Sequence, residues 1–148
     1  MSIITNVSNS LTIKSARAER ITDFPVGGGL VWTAIPMVSA AWNDGFWNIA
    51  NPSRMTATDA GRFLYAFLLF TPTVSAEYAV TMNGLTPDIS NRVYFSTTDT
   101  VSTTVGIGSI TTVFLNSGDY LESWVRNSVG FTVQSSLVHA WFSLIQIS

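Results

Sequence analysis

The sequence predicts an all-β domain in which two antiparallel sheets pack face to face. Short runs rich in Val, Ile, Thr, Phe, Tyr and Trp recur along the chain, and clusters of Gly, Pro, Asn and Asp separate them about every 8 to 12 residues. No stretch keeps a helical period over three turns. About nine or ten strands at this spacing indicate a β-sandwich or jelly roll.

The predicted strands follow one another without a linker that would divide the domain. Asn83-Gly84 is the strongest turn signal, because both residues accept a positive φ. The polar segment 97–104 is predicted to be a surface loop, and residues 1–14 form a separate polar arm before a domain of residues 15–148. The predicted strands cover 15–22, 30–38, 54–57, 62–70, 77–82, 93–95, 110–115, 120–125, 131–135 and 139–147.

The chain is unusually poor in charge for a protein without a membrane segment. Hydrophobic residues make up 47% and charged residues 11% of the sequence, against about 25% charged in ordinary soluble proteins. No apolar run reaches the roughly 18 residues of a membrane helix, and the first residues lack the pattern of a secretory signal. We therefore expect a permanent interface between copies of the chain, the alternative being a monomer coated in Ser, Thr and Asn.

Charge and cysteine content make several function classes improbable. The net charge is −2 and the seven basic residues are scattered, whereas nucleic-acid binding needs a basic stripe. The absence of cysteine excludes disulfides, thiolate catalysis and cysteine-based metal sites. A reducing cytoplasm, or a particle assembled there, suits this composition.

Residues 62–70 depart from the alternation expected of a strand with one buried face. Phe63, Tyr65 and Phe67 share one face, while Leu64 and Leu68 share the other, with Ala66 between them. A strand that is apolar on both faces is covered on both. In a two-layer sandwich, a partner subunit is the simplest second cover. The closing strand, 139–147, shows a similar pattern.

Three segments resemble the globular head of complement one-q, in chain order and with sensible spacing. Residues 51–57 and 61–65 resemble the strand pair that contains its "Gly-x-Tyr/Phe" motif. Residues 115–122, Leu-Asn-Ser-Gly-Asp-Tyr-Leu-Glu, resemble its "Leu-x-x-Gly-Asp-x-Val/Leu" turn, and residues 142–145 resemble its closing strand. The resemblance covers roughly residues 15–148 and is nearest to the stand-alone bacterial and bacteriophage versions of the domain, which have no collagen stalk.

This resemblance implies a ten-strand jelly roll, shared with the tumour necrosis factor superfamily and usually assembled as a tight homotrimer. Carried over by position, one face of each of two strands would form the trimer interface, and Phe63, Tyr65, Phe67, Phe142 and Leu144 would fill the core. Arg62 departs from the apolar residue usual at its position, which implies an acidic partner or a bound anion. The implied interface residues are Leu64, Ala66, Leu68, Trp141, Ile145 and Ile147.

Candidate catalytic and metal-binding residues are sparse. The single histidine, His139, has no nucleophile-elbow serine to serve and is interpreted as a strand-end or interface residue. Asp119 is expected to cap the turn at Gly118 rather than to act with Glu122 as a catalytic pair. Asp88 and Asp99 lack the ligand spacing of a calcium loop. We therefore expect no enzyme activity and no cofactor, with calcium an improbable exception.

A ligand patch is conceivable where Trp42, Phe46 and Trp47 flank an Asn-Asp-Gly turn, because exposed aromatic rings stack on sugars and anchor interfaces. The alternative, which we favour, is that these rings close the edge of the sandwich. In the arm, Ile3, Ile4 and Val7 are the candidate docking residues.

The resemblance to the stand-alone bacteriophage form of the domain implies a non-enzymatic virion protein of a tailed bacteriophage, made in the host cytoplasm. It would be a homotrimeric capsid decoration, cement or head-fibre protein that contacts itself and other virion proteins. The alternative is a knob of a tail fibre or tail tip that binds a host glycan or receptor. Neither function involves nucleic acid or membrane insertion.

Overall fold

Twelve strands make up the regular structure of the computed structural model, which describes residues 13–71, 75–84, 86–90, 92–98, 105–133 and 140–148. No helix long and apolar enough to cross a membrane occurs within these ranges. The strands are β1 (Ser15–Arg20), β2 (Phe24–Val26), β3 (Thr33–Ala34), β4 (Ser39–Asn43), β5 (Arg54–Thr56), β6 (Gly61–Thr71), β7 (Ala76–Met82), β8 (Arg92–Thr98), β9 (Val105–Leu115), β10 (Tyr120–Arg126), β11 (Phe131–Val133) and β12 (Ala140–Gln146).

The strands form two antiparallel sheets and a small ribbon. Sheet 1 has the order β4-β1-β12-β6-β9. Sheet 2 has the order β3-β10-β7-β8, and β5 also pairs with β10 beyond the end of β3. The ribbon consists of β2 and β11. The predicted two-sheet antiparallel jelly roll is confirmed, with twelve described strands rather than about ten.

The core lies between the two sheets, and β6 supplies much of it. Phe63, Tyr65 and Phe67 are buried on its inner face, as the sequence predicted. Phe142 and Leu144 of β12 are buried beside them, and the rings of Tyr65 and Phe142 stack with their centroids 6.1 Å apart. Because apolar residues of one strand face recur with period two, the inner face could be predicted from the sequence alone.

Five strands differ from the prediction. Strand β4 lies in a segment for which no strand was predicted, and β8 extends to Thr98, into the segment predicted to be a surface loop. Residues 30–38 pair as a strand only at β3, which contacts Trp124 and Val125 of β10. The ribbon strand β2 was not predicted because it contains Pro25, which has no N–H and so is found in strands only at edges. Strand β9 begins at Val105 rather than Ile110, since it pairs with β6 as far as Thr71.

The two ends of the sandwich are distinguishable. At the near end, β1 begins at Ser15, and the Arg62 amide donates a hydrogen bond of 2.9 Å to the Ser148 carbonyl. At the far end, β1 stops, β7 begins, β10 stops at Arg126, and the ribbon closes over the edge. Arg20 holds the ribbon there, with its guanidinium 4.7 Å from the centre of the Phe24 ring.

A buried hydrogen bond joins the sheets across the core. The hydroxyl oxygens of Tyr65 in β6 and Ser123 in β10 are 2.7 Å apart. Burial raises the pKa of Tyr65 well above its ordinary value, so the phenol stays protonated at physiological pH. Each hydroxyl is therefore the hydrogen-bond partner that the other needs, because a buried polar group without a partner lowers the stability of the fold.

Replacing one hydroxyl of this pair should destabilise the fold more than the missing atom alone would suggest. We expect Tyr65→Phe to lower the free energy of unfolding by about 1–3 kcal/mol, because it leaves Ser123 buried without a partner. The Tyr65→Phe/Ser123→Ala double variant should lose less than the sum of the single losses, by at least about 0.5 kcal/mol. Urea unfolding measures all three, and strict additivity would contradict the coupling.

Candidate functional site

The outer face of sheet 1, defined as the side away from the core on β6, β9 and β12, brings the predicted interface residues together. The strand register sets Leu64 opposite Ile145, and Leu68 opposite Trp141. These four side chains are half-buried, Ala66 is buried and Ile147 is exposed. An apolar surface of this kind on a sheet face is typical of a covered interface.

Strand β9 adds two large apolar side chains to this outer face that the sequence analysis did not select. Ile110 is 69% exposed and Phe114 is 60% exposed. Ile110 lies opposite Ala66, and a shallow depression between the strands is lined by Ala66, Leu68, Ile110 and Trp141, with Phe67 and Gly108. The alternation of Ile110, Thr112 and Phe114 with Val113 and Leu115 was a usable signal, because only one of these faces can reach the core.

Arg62 is the one charged residue on the outer face of the described parts of β6, β9 and β12. It is exposed, lies opposite Phe114, and lines a hollow with Thr112 and Val113. No ion pair involves Arg62 among the described residues, so the acidic partner implied by the resemblance is absent from the single chain as described.

Trp42 belongs to the same surface rather than to a separate ligand patch. It is 46% exposed, and its indole N–H donates to the Ser15 hydroxyl at 3.1 Å. The Arg17 guanidinium lies between two tryptophans, 5.6 Å from the Trp42 ring centre and 4.8 Å from that of Trp141. The outer face of sheet 1 thus continues across β1 to β4, with Arg17 also paired to Glu19 at 3.0 Å.

Phe46 does not belong to a ligand patch, and its position agrees with the favoured interpretation, in which these rings close the edge of the sandwich. Phe46 is 1% exposed and contacts Phe63 edge-on, with the ring centroids 5.7 Å apart. Trp47 is half-buried, and its indole N–H donates to the Pro52 carbonyl at 3.1 Å. Asn43 closes the turn by accepting hydrogen bonds from the Gly45 and Trp47 amides, each 3.0 Å long. Aromatic residues that flank a turn can point either way, and here the turn folds Phe46 inward.

The candidate carboxylates make structural contacts. Asp119 accepts hydrogen bonds from the Asn116 amide at 2.8 Å and from the Asn83 side chain at 2.9 Å, as expected for a turn cap. The Asn116 amide is the main cause that lowers the pKa of Asp119. Glu122 is buried, accepts a hydrogen bond from the Ser53 hydroxyl, and lies 3.6 Å from Arg54. The two carboxyl groups have separate partners and do not form a catalytic pair.

Asp88 also has a local role, since its carboxylate accepts hydrogen bonds from the amide and hydroxyl of Ser90 at 2.7 and 2.6 Å. No group of three potential metal ligands occurs in the described part of the chain. Several predicted residues lie outside the described ranges: Ile3, Ile4 and Val7 of the arm, His139, Asp99 and the rest of 99–104.

The comparisons with known proteins bear on the fold. No protein-family model matches the sequence, and no curated protein matches it. Solved structures do match. Murine APRIL superposes with a TM-score of 0.70 at 11% identity, over 92% of this chain and 100% of that chain.

Two further structures share the fold. Eiger TNF from S. frugiperda gives a TM-score of 0.67 at 11% identity, over 92% of this chain and 93% of that chain. The globular domain of zebrafish complement 1qA gives 0.68 at 9% identity, over 93% and 98%. The fold is the jelly roll of tumour necrosis factor and complement one-q. At these identities the likeness establishes the fold and leaves function to the residues.

Truncating Phe46 and Trp42 one at a time should show, by the loss of unfolding free energy, which ring lies in the core and which on the surface. We expect Phe46→Ala to lower the free energy of unfolding by about 3–5 kcal/mol, because it opens a cavity against Phe63. Trp42→Ala should cost about 1 kcal/mol or less in the single chain, since it removes one partly exposed ring and its contact with Arg17. Denaturant unfolding of dilute protein measures both, and equal losses would contradict the assignment.

Proposed function

We propose that the protein is a non-enzymatic structural protein that assembles as a homotrimer through the outer face of sheet 1. The observation that carries this proposal is the exposed apolar surface of Ile110 and Phe114, continuous with Leu64, Leu68 and Trp141. The fold supports it, because the resemblance to the complement one-q and tumour necrosis factor jelly rolls implies trimers.

A second copy of the chain is the occupant that fits this outer face best. Beside aliphatic side chains it has aromatic ones and an arginine, which are types enriched in interfaces, and its described part has no lysine. The chain has only 11% charged residues, so little of its surface opposes association. In a threefold assembly the outer face of β6 would line the axis, while Trp141 and Ile145 would contact the neighbours.

Arg62 is consistent with this assembly only if it gains a partner there. Covering an arginine without an opposite charge carries a large desolvation penalty. In the trimer, a carboxylate of the neighbouring copy or a bound anion would meet the three Arg62 side chains near one end of the axis.

The absence of catalysis is part of the proposal, and two observations support it. Asp119 and Glu122, the nearest approach to a carboxylate pair in the sequence, are occupied by structural hydrogen bonds. The matching solved structures are proteins of the tumour necrosis factor and complement one-q type.

We place the protein in a bacteriophage virion, as a decoration, cement or head-fibre protein, by its resemblance to the phage and bacterial form of this domain. Residues 1–14 would dock on a shell protein through Ile3, Ile4 and Val7. Strand β1 begins at the near end of the sandwich, so such an arm would attach there and leave the far end outward. One observation supports the alternative function, a knob that binds a host glycan or receptor: a pocket at the far end is lined by Glu77, Thr97 and Arg126, among others.

Placing a charge on the outer face of sheet 1 should dissociate the trimer without unfolding the chain. Light scattering at low concentration should give about 48 kDa for the native protein, since three chains of 16.1 kDa assemble. Ile110→Asp should give a folded monomer, because Ile110 is 69% exposed in the single chain. Ile89→Asp is the matched control, as Ile89 is 90% exposed on the β7–β8 loop, and should remain trimeric. A native monomer would contradict the assembly outright.

The virion placement predicts that the protein copurifies with phage particles through its arm. Mass spectrometry of purified virions from the source culture should detect the chain, and a variant that lacks residues 1–12 should remain trimeric but no longer sediment with the particles. This deletion keeps Lys14, whose ammonium pairs with Asp59 at 2.6 Å. Failure to find the protein in virions would contradict the virion placement but would not contradict the trimer.

A further inference from the structure

A pocket at the far end of the sandwich carries both a donor and an acceptor that are only partly used. We call it the end pocket. Strand β10 supplies one wall, β7 and β8 supply another, and the loop that follows the ribbon strand β2 supplies the third. Its lining residues are Leu30, Ser75, Ala76, Glu77, Thr97, Arg126, Asn127 and Ser128.

Three of these residues form one cross-strand row on sheet 2. Glu77 lies opposite Thr97 on one side and opposite Arg126 on the other. Arg126 donates twice to a single oxygen of Glu77, from Nε at 3.0 Å and from Nη2 at 2.6 Å. The other carboxylate oxygen of Glu77 and Nη1 of Arg126 have no further hydrogen bond among the described residues. An acceptor and a donor are thus left side by side.

An aromatic ring fixes the guanidinium of this pair. The Arg126 guanidinium lies 4.5 Å from the centre of the Trp32 ring, and both side chains are half-buried. Stacking on one side and the ion pair on the other restrict its rotamers before any ligand arrives. A ligand that uses the remaining donor therefore meets a group already in place, which lowers the entropy lost on binding.

The loop wall of the end pocket is also held in place. Asn127 is 2% exposed, and its side-chain amide donates to the Ser75 carbonyl at 3.3 Å. The Leu30 amide donates to the Asn127 carbonyl at 2.9 Å, and Leu30 keeps a φ of 58°, a left-handed value that is costly for a leucine. A Cβ on Gly28 would lie 2.9 Å from the Ser128 carbonyl oxygen, so the close approach needs glycine. Strain kept by surrounding contacts is a recurrent feature of ligand sites.

From this geometry we infer that the end pocket binds a saccharide unit through two neighbouring ring hydroxyls. Each hydroxyl both donates and accepts, so one can donate to the Glu77 carboxylate while the next accepts from Arg126. The pair is neutral overall, so neither a phosphate nor an ammonium group gains a net charge attraction, because Glu77 offsets Arg126 for the first and Arg126 offsets Glu77 for the second. A wholly apolar ligand would desolvate the ion pair without replacing its hydrogen bonds. Leu30 offers an apolar edge for the C–H face of the ring.

The inference gives a site to the glycan-binding alternative and does not rest on the trimer. None of the lining residues lies on the outer face of sheet 1, so covering that face does not by itself cover the end pocket. The end pocket also differs from the ligand patch considered around Trp42, to which Phe46 cannot contribute because it is buried in the core.

Saturation-transfer NMR of the native protein with methyl glycosides of glucose, galactose, mannose and N-acetylglucosamine tests the inference, followed by an immobilised oligosaccharide array. We expect at least one saccharide to bind, with a Kd of about 0.1–10 mM for the free monosaccharide. Glu77→Gln should weaken binding about tenfold or more, because the amide replaces a charged acceptor. Thr97→Trp should also weaken it by filling the end pocket from an exposed edge-strand position while leaving the ion pair intact.

Asp59→Asn is the matched control, since it removes the exposed ion pair with Lys14 outside the end pocket and should bind as the native protein does. Thermal unfolding verifies that each variant folds. If Glu77→Gln does not fold, Thr97→Trp still tests whether ligands bind in the end pocket. Absence of binding to every saccharide overturns the inference, as does unchanged binding in both pocket variants. Capture of a host protein without any glycan would also contradict it. Light scattering on the same samples reports the trimer separately.

Discussion

The pairing of β6 with both of its neighbours is the constraint on which the rest of the structure depends. Strand β6 is hydrogen-bonded to β9 over its whole length and to β12 over part of it. This pairing determines which residues of β6 lie on each of its faces. Phe63, Tyr65 and Phe67 must then enter the core, and the alternate residues must form the outer face of sheet 1. A slip of one residue would exchange the two sets. Both sets are largely apolar, so hydrophobic burial alone discriminates weakly between the two registers. Arg62 and Tyr65 discriminate more strongly, because a slip would bring Arg62 into the core and the Tyr65 hydroxyl meets Ser123 only in the observed register.

Local patterns in the sequence were sufficient for features that depend on neighbouring residues. The two-faced strand at 62–70 follows from side-chain alternation, and its buried face is observed. The Asp119 turn cap follows from a short side chain beside Gly118, and its hydrogen bond is observed. For Phe46 the sequence favoured a position at the edge of the sandwich but left a ligand patch open, because its burial depends on where the turn after β4 meets β6. The end pocket was equally inaccessible, since Glu77 and Arg126 are far apart in the chain and meet only through the register of β7 with β10.

The two proposed surfaces use opposite physical strategies, and they lie on different sheets. The outer face of sheet 1 has large apolar side chains, such as Ile110 and Phe114, that gain by being removed from water. The end pocket has an ion pair that is stacked on Trp32 and fixed by its own hydrogen bonds. The first arrangement suits permanent assembly, and the second suits reversible recognition of a polar ligand. A trimer would present three end pockets on one side, so weak single contacts would gain avidity.

The partners of the charged side chains bear on how the proposed trimer would assemble. Every acidic side chain that the structure describes already has a local interaction: Glu19, Asp59, Glu77 and Glu122 with basic residues, Asp44, Asp88 and Asp119 with hydrogen-bond donors, and Asp23 beside Arg20. Arg62 has no such carboxylate, yet it lies among the apolar residues that assembly would cover. In the single chain, water solvates it. In the proposed trimer, an anion or a carboxylate drawn from its present partner would have to take the place of that water. Arg62 is therefore the described residue of the outer face whose native charge bears on assembly, since the other large side chains of that face are apolar.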